Sequence, residues 1–168
     1  MRLINEGFQL EQQIENILGR YVLSSNFGVG TVVSLEEMGG DGKRFLVIES
    51  LNNSVKNFIP IEETNYYRFA VSENEFDSIT KNFEGETEVP DFDSKKDRIN
   101  HYKSASGIQD LDHIVKVLCE LRAIDSRSSV EEQIYNRLIE TVALEHSVVF
   151  KTPIDESTKY VQQLMDLN

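Results

Sequence analysis

The stretch YVLSSNFGVGTVVSLEEMGGDGKRFLVIESLNNSVKNFIPIEETNYYRFAVS, residues 21–72, decides the fold. Within it YVLSS, GTVVSLEEM, RFLVIES, VKNFIPI and YRFAVS are short runs rich in Val, Ile, Phe and Tyr, the residue types that suit a pleated, half-buried surface. Turn signals separate the runs: Asn26-Phe27-Gly28, Gly39-Gly40-Asp41-Gly42 and Asn52-Asn53-Ser54. The GGDG segment between two strand-like runs reads as a hairpin loop, with glycines supplying positive φ. About five short strands in roughly fifty residues cannot build two full sheets. A small, strongly bent barrel of the SH3/Tudor kind buries their apolar faces best.

Working outward, residues 3–18 space Leu3, Leu10, Ile14 and Ile17 along one helical face, with Glu11, Gln12 and Glu15 turned away. Gly19 is the expected stop. After Val71 the pattern becomes helical. Ser72 with Glu75 forms a capping box ahead of Phe76 and Ile79. The acidic, aperiodic EGETEVPDFDS (84–94) reads as a linker, and 95–105 as a short helix. Asp110 caps a helix with Leu111, Ile114, Val115, Leu118 and Leu121 inward. Ser128 and Glu131 open a long helix through Val149, with Ile134, Leu138, Val142 and Leu144 inward. Thr152, Pro153 and Asp155 start a last helix lined by Val161, Leu164 and Leu167. The expectation is an α+β chain: an amphipathic N-terminal helical arm over 1–20, a Tudor/SH3-like β-barrel over 21–72 and an all-α helical domain over 73–168.

The chain has 168 residues, 39% apolar and 27% charged, which describes a folded protein and not a disordered one. No apolar run is long enough to span a bilayer, and the start lacks the continuous apolar segment of a secretory signal. The single cysteine, Cys119, excludes an internal disulfide framework, so a cytoplasmic location is expected. A net charge of −12 disfavours a generic nucleic-acid coat. Within 95–103 (KKDRINHYK), however, four basic residues face one acidic one. Phosphate contact is expected at that island.

Chemistry-bearing motifs are sparse. His101, His113 and His146 lie in different expected helices, and none has a second histidine or cysteine at a chelating spacing of three or four. Cys119 sits mid-helix beside Leu118, where it reads as a small buried hydrophobe. No GxSxG, HExxH or P-loop occurs. Gly28-Val29-Gly30 runs into Thr31-Val32-Val33, a strand, so a dinucleotide loop is excluded and bending of the strand is the simpler role. Acidic pairs such as Glu36-Glu37 and Glu62-Glu63 read as solvated charge. An enzyme would have to rest on His113, Cys119 and Glu120 in one helix, and burial of those groups would remove it. No catalytic residue, metal, cofactor, membrane or small-molecule substrate is expected.

Two binding surfaces remain. Around the hairpin, Lys43, Arg44, Phe45, Val47, Lys56 and Phe58 alternate in strands that can form a sheet edge, whose open backbone groups a partner strand can complete. The plainer reading is an ordinary barrel face with blunting charges. Phe92 with Lys95, Lys96, Arg98, His101, Tyr102 and Lys103 sets aromatics among cations, a combination that meets bases and phosphates. Its plainer reading is a solvated helix face with one core aromatic.

The ordered series of segments resembles the CarD/CdnL family, whose N-terminal module is shared with the transcription-repair coupling factor. Phe27-Gly28, Leu35-Glu36 and Ile59-Pro60 stand at the family's steps. SGIQDLDHIVKVLCELR and SSVEEQIYNRLIETVALEHS are similar to its helical-domain helices, and the likeness covers about residues 20–165. The resemblance implies a Tudor-like domain binding the β subunit of RNA polymerase through strands around 34–38, 43–48 and 54–58. It also implies a helical domain at promoter DNA, stabilising the open complex. Where the family often carries arginines, the matching positions are Met38 and Phe58. The family's wedging tryptophan falls near Asp93, beside Phe92, in a chain without tryptophan. A partner-binding protein that keeps polymerase but has lost DNA contact is the alternative.

Overall fold

Residues 15–166 are described by the computed structural model of the chain, in which an antiparallel sheet is followed by helices. The strands are β1 (Tyr21–Ser24), β2 (Gly28–Met38), β3 (Lys43–Ser50), β4 (Lys56–Pro60) and β5 (Arg68–Phe69). They pair in the order β4-β3-β2-β1-β5, every neighbour antiparallel. The hairpin loop joins β2 to β3 as the glycine pattern anticipates, with Gly39 at φ 84° and Gly42 at φ 74°. The sheet is open, with β4 and β5 as its ends. Closure into a barrel, expected from the sequence, is not made by strand pairing.

Alternation along the strands decides which side is apolar. Val22, Val32, Leu46, Ile48, Ile59 and Tyr67 form one buried cluster, joined by Ile17, Phe27, Leu35, Ile61 and Phe69. Val32 and Leu35 both belong to it although they stand three positions apart. A β-bulge explains this: Val32 faces Ile48 and Ser34 faces Val47, leaving Val33 as the extra residue. Gly30 has a different role from a bend. A Cβ there would come 2.5 Å from Ile48 Cγ2 and 2.8 Å from the Glu49 carbonyl oxygen, so only glycine lets β2 approach β3 so closely. The Tyr67 hydroxyl donates to the Ile61 carbonyl at 2.9 Å, and the Arg20 guanidinium lies 4.0 Å over the Phe69 ring, fastening the β5 end.

The chain divides into two compact units after Ala70. The second contains α1 (Glu73–Thr80), a 3₁₀ turn (Lys81–Glu84), α2 (Lys95–Ala105), α3 (Leu111–Arg122), α4 (Ser129–Val149) and α5 (Ile154–Asp166). The capping boxes at Ser72/Glu75 and Ser128/Glu131 are both formed, and Asp110 accepts from the His113 N–H. The acidic stretch 84–94, expected as a linker, lies within this unit. Phe83 is fully buried just before it, and Val89 and Phe92 pack on the helical core. Leu111, Val115, Leu118, Leu121, Leu138, Val142 and Val161 supply the centre of that core. Leu144 is only half-buried, while Glu145 beside it is fully buried and accepts from the Val71 N–H at 3.0 Å. Leu3, Leu10 and Ile14 of the expected arm, and Leu167, lie outside the described residues. No helix among the described residues is long and apolar enough to cross a membrane.

Gly30→Ala is expected to destabilise the sheet by about 1–3 kcal/mol, the usual cost of forcing a methyl group into filled space. Urea denaturation should show a lower midpoint with unchanged slope, and an unchanged midpoint would refute the close-approach account.

Candidate functional site

Directly opposed residues in an antiparallel pair share a face. Ser34–Val47–Phe58 forms one such row across β2, β3 and β4, and Glu36–Phe45–Pro60 forms the next. Met38–Lys43 and Glu49–Lys56 extend the same side at its two ends. Met38, Lys43, Phe45, Val47, Lys56 and Phe58 therefore meet on the face opposite the buried cluster. Arg44 does not. It stands opposite Glu37 with its side chain on the other face. Val47, though on the right face, is buried beneath its neighbours. The residues that reach solvent are Phe58, 46% exposed, Met38, 37% exposed, and the two lysines. β4 ends the sheet, so its outer row of backbone groups has no strand partner among the described residues. Lys56 and Pro60 blunt its two ends and leave Asn57 to Ile59 as the open part.

The candidate DNA residues scatter around α2. Ser94 caps the helix by accepting from the Asp97 N–H at 3.1 Å. Lys95 and Lys96 are exposed in the first turn, and Lys103 is exposed near its end. Arg98 points elsewhere. Its Nε donates to Glu131 Oε1 at 2.6 Å and its Nη2 to Glu131 Oε2 at 3.1 Å, a two-pronged pair with a fully buried carboxylate. Arg98 is thus engaged inside the helical unit by Glu131. Tyr102 is fully buried, and burial followed by the charge of Glu120 pushes its hydroxyl up from the usual range. Phe92 is half-buried, its ring 5.1 Å from His101 and 5.9 Å from Tyr102, so only part of it faces outward. A cleft of about 570 Å³ lies beside it, lined by Pro90, Phe92, Lys95, Arg98, Ile124 and Ser126 among others.

Sequence reasoning missed Glu131 as a hub. Its carboxylate also accepts from the Ser128 N–H at 2.6 Å. Burial raises its pKa, but the Arg98 hydrogen bonds and the Ser128 contacts outweigh that and hold it down at about 2. The capping box was the available signal, since it fixed Glu131 at the helix start. Nothing in the sequence paired it with Arg98, 33 residues away.

The residues on which an enzyme would rest are Cys119 and Glu120, both buried, and His113, whose Nε2 lies 3.1 Å from the Ala105 carbonyl. Burial pushes the Cys119 thiol up, away from the reactive thiolate form. Among the described residues no group of three or more His, Cys, Asp or Glu can hold a metal ion.

The acid limb of stability follows from Glu131. Its folded-state pKa lies below its ordinary 4.5, so its contribution is complete above pH 4.5 and is lost as pH falls toward 2. Glu131 should contribute roughly 3 kcal/mol of acid-sensitive stability. In Glu131→Gln, denaturant midpoints at pH 3 and pH 6 should differ less than in the parent. An equal pH dependence in both would sink this assignment. No protein-family model matches the chain, and no curated protein matches it either.

Proposed function

We propose that this chain is a non-catalytic regulator of transcription of the CarD/CdnL kind, docking on the β subunit of RNA polymerase through the sheet face that carries Phe58 and Met38. One observation carries the reading: residues the resemblance nominates as polymerase-facing converge on a single side of β2, β3 and β4, next to an open edge. Exposed apolar side chains flanked by Lys43 and Lys56 suit a partner strand that pairs with the β4 backbone and seats its own side chains beside Phe58. The finer description of the sheet as a Tudor-like barrel belongs to this proposal. The five-strand order, the bulge in β2 and the tight β2–β3 approach at Gly30 support it. A cytoplasmic location follows from the partner.

The DNA half of the reading is narrower than the resemblance implies. Lys95, Lys96, Lys103 and His101 are exposed and stay as candidate contacts with promoter DNA, and Phe92 offers only a partial ring edge. Engagement of Arg98 by Glu131 favours the second reading, a polymerase-binding protein whose own DNA contact is weak or lost.

Phe58→Glu is expected to weaken capture by the isolated polymerase β lobe at least about tenfold, the loss typical of a single interface anchor. The thermal midpoint should move little, since Phe58 is half exposed. Wild-type protein that fails to bind the lobe at tens of micromolar would overturn the docking proposal.

A further inference from the structure

His146 is a titratable ring shut inside the helical unit. It lies near the end of α4 and is 8% exposed. Tyr160 of α5 stacks on it with ring centroids 4.5 Å apart, and Phe150, just past the end of α4, stacks at 4.7 Å. Phe76 of α1 meets it edge-on at 5.4 Å. Its Nδ1 lies 2.8 Å from the hydroxyl of Ser157, which is fully buried near the start of α5. Three elements thus close on one imidazole. Asp77 of α1 is the charged group that bears on it, and the Tyr160 phenol of α5 is the titratable group stacked against it. Phe76, Phe150 and Ser157 carry no charge.

We propose that His146 is a proton-sensitive latch: its neutral ring docks α5 onto α1 and α4, and protonation in weakly acidic solution loosens that helix. A neutral imidazole can accept the Ser157 hydroxyl at Nδ1 while Nε2 carries the proton. The imidazolium has an N–H at both positions, so Nδ1 turns from acceptor to donor and the Ser157 hydroxyl loses the acceptor it had. That hydroxyl makes no second bond among the described residues, and Ser157 has no access to water. The new charge also stands among apolar walls. Asp77 and the flat faces of Tyr160 and Phe150 favour a cation and oppose these costs. Burial outweighs the Asp77 charge and holds the imidazole below its ordinary 6.5. The latch is therefore complete above pH 6.5 and is lost as pH falls through the lower folded-state value. Glu131 keeps its full contribution down to pH 4.5, so the two acid responses occupy separate ranges. The latch is independent of the transcription-regulator reading.

The test is amide hydrogen exchange of the full chain, read by mass spectrometry at pH 7.5 and 5.5 and corrected for the intrinsic pH dependence of exchange. Between the two pH values a peptide spanning α5 should lose protection by at least about threefold more than one from α3, which supplies no group to the His146 cage. His146→Gln and His146→Phe cannot take up the proton, and each should remove this difference. His101→Gln and His113→Gln, which change the other two histidines, should leave it in place. Proton NMR of the histidine rings, assigned with the same variants, should give His146 a midpoint below 6.5. Asp77→Asn removes the anion that favours the imidazolium, so it should move both that midpoint and the loosening of α5 to lower pH. This exposed substitution keeps the test decisive if the His146 variants fail to fold. The proposal is overturned if α5 and α3 lose protection equally, if an uncharged His146 variant that folds keeps the response, or if Asp77→Asn leaves the midpoint where it was. A His146 that only packs would lower the thermal midpoint when replaced and leave the exchange of α5 independent of pH.

Discussion

The helical unit depends on a buried negative charge being fully answered. Glu131 is removed from water at the start of α4, which would cost several kcal/mol if its carboxylate stood alone. Two prongs from Arg98 and the Ser128 N–H answer it, and in doing so they tie α2 to the first turn of α4. The arrangement fixes where the rest of α2 points. Tyr102, one turn on from Arg98, goes into the core, and Lys96 and Lys103 turn outward. Glu145 repeats the theme at the other end of α4, where its buried carboxylate receives the Val71 N–H at the start of the unit. Two internal acids on one helix thus position the segments that precede it.

Much of this architecture was legible in the order of residues because local signals carried it. Strand runs, the GGDG hairpin and the two capping boxes depend on neighbours within a few positions, and each stands where the sequence places it. Long-range pairings were not legible. The island 95–103 reads as four cations available for phosphate, but one of them is spent on Glu131, and a hydropathy pattern has no means of showing which. The acidic stretch 84–94 has the composition of a linker and is nevertheless anchored to the helical core by Val89 and Phe92. Two apolar side chains, with Arg122 donating to the Gly85 carbonyl, hold an otherwise polar segment. Composition averages them away.

The sheet shows the same division between local and distant information. Alternation along β3 puts Phe45 and Val47 on one side, but only the β2–β3 and β3–β4 registers bring Phe58 beside them and decide which reach solvent. Val47 ends up beneath its neighbours, and Arg44 falls on the other side because it is out of step with them. What a partner can touch is therefore smaller than the run of candidate residues, and its most prominent member is an aromatic on the last strand.

The extra residue at Val33 has a further consequence for how this chain can vary. Upstream of it the even-numbered positions of β2 look inward; downstream the odd-numbered ones do. Loss of Val33 itself would restore an unbroken two-residue rhythm with Leu35 still inward, whereas flattening the bulge at constant length would draw Ser34, Glu36 and Met38 into the apolar interior while expelling Leu35. The bulge thus ties strand length to hydrophobic phase: without it, β2 must either be one residue shorter or carry the opposite hydrophobic phase in its second half.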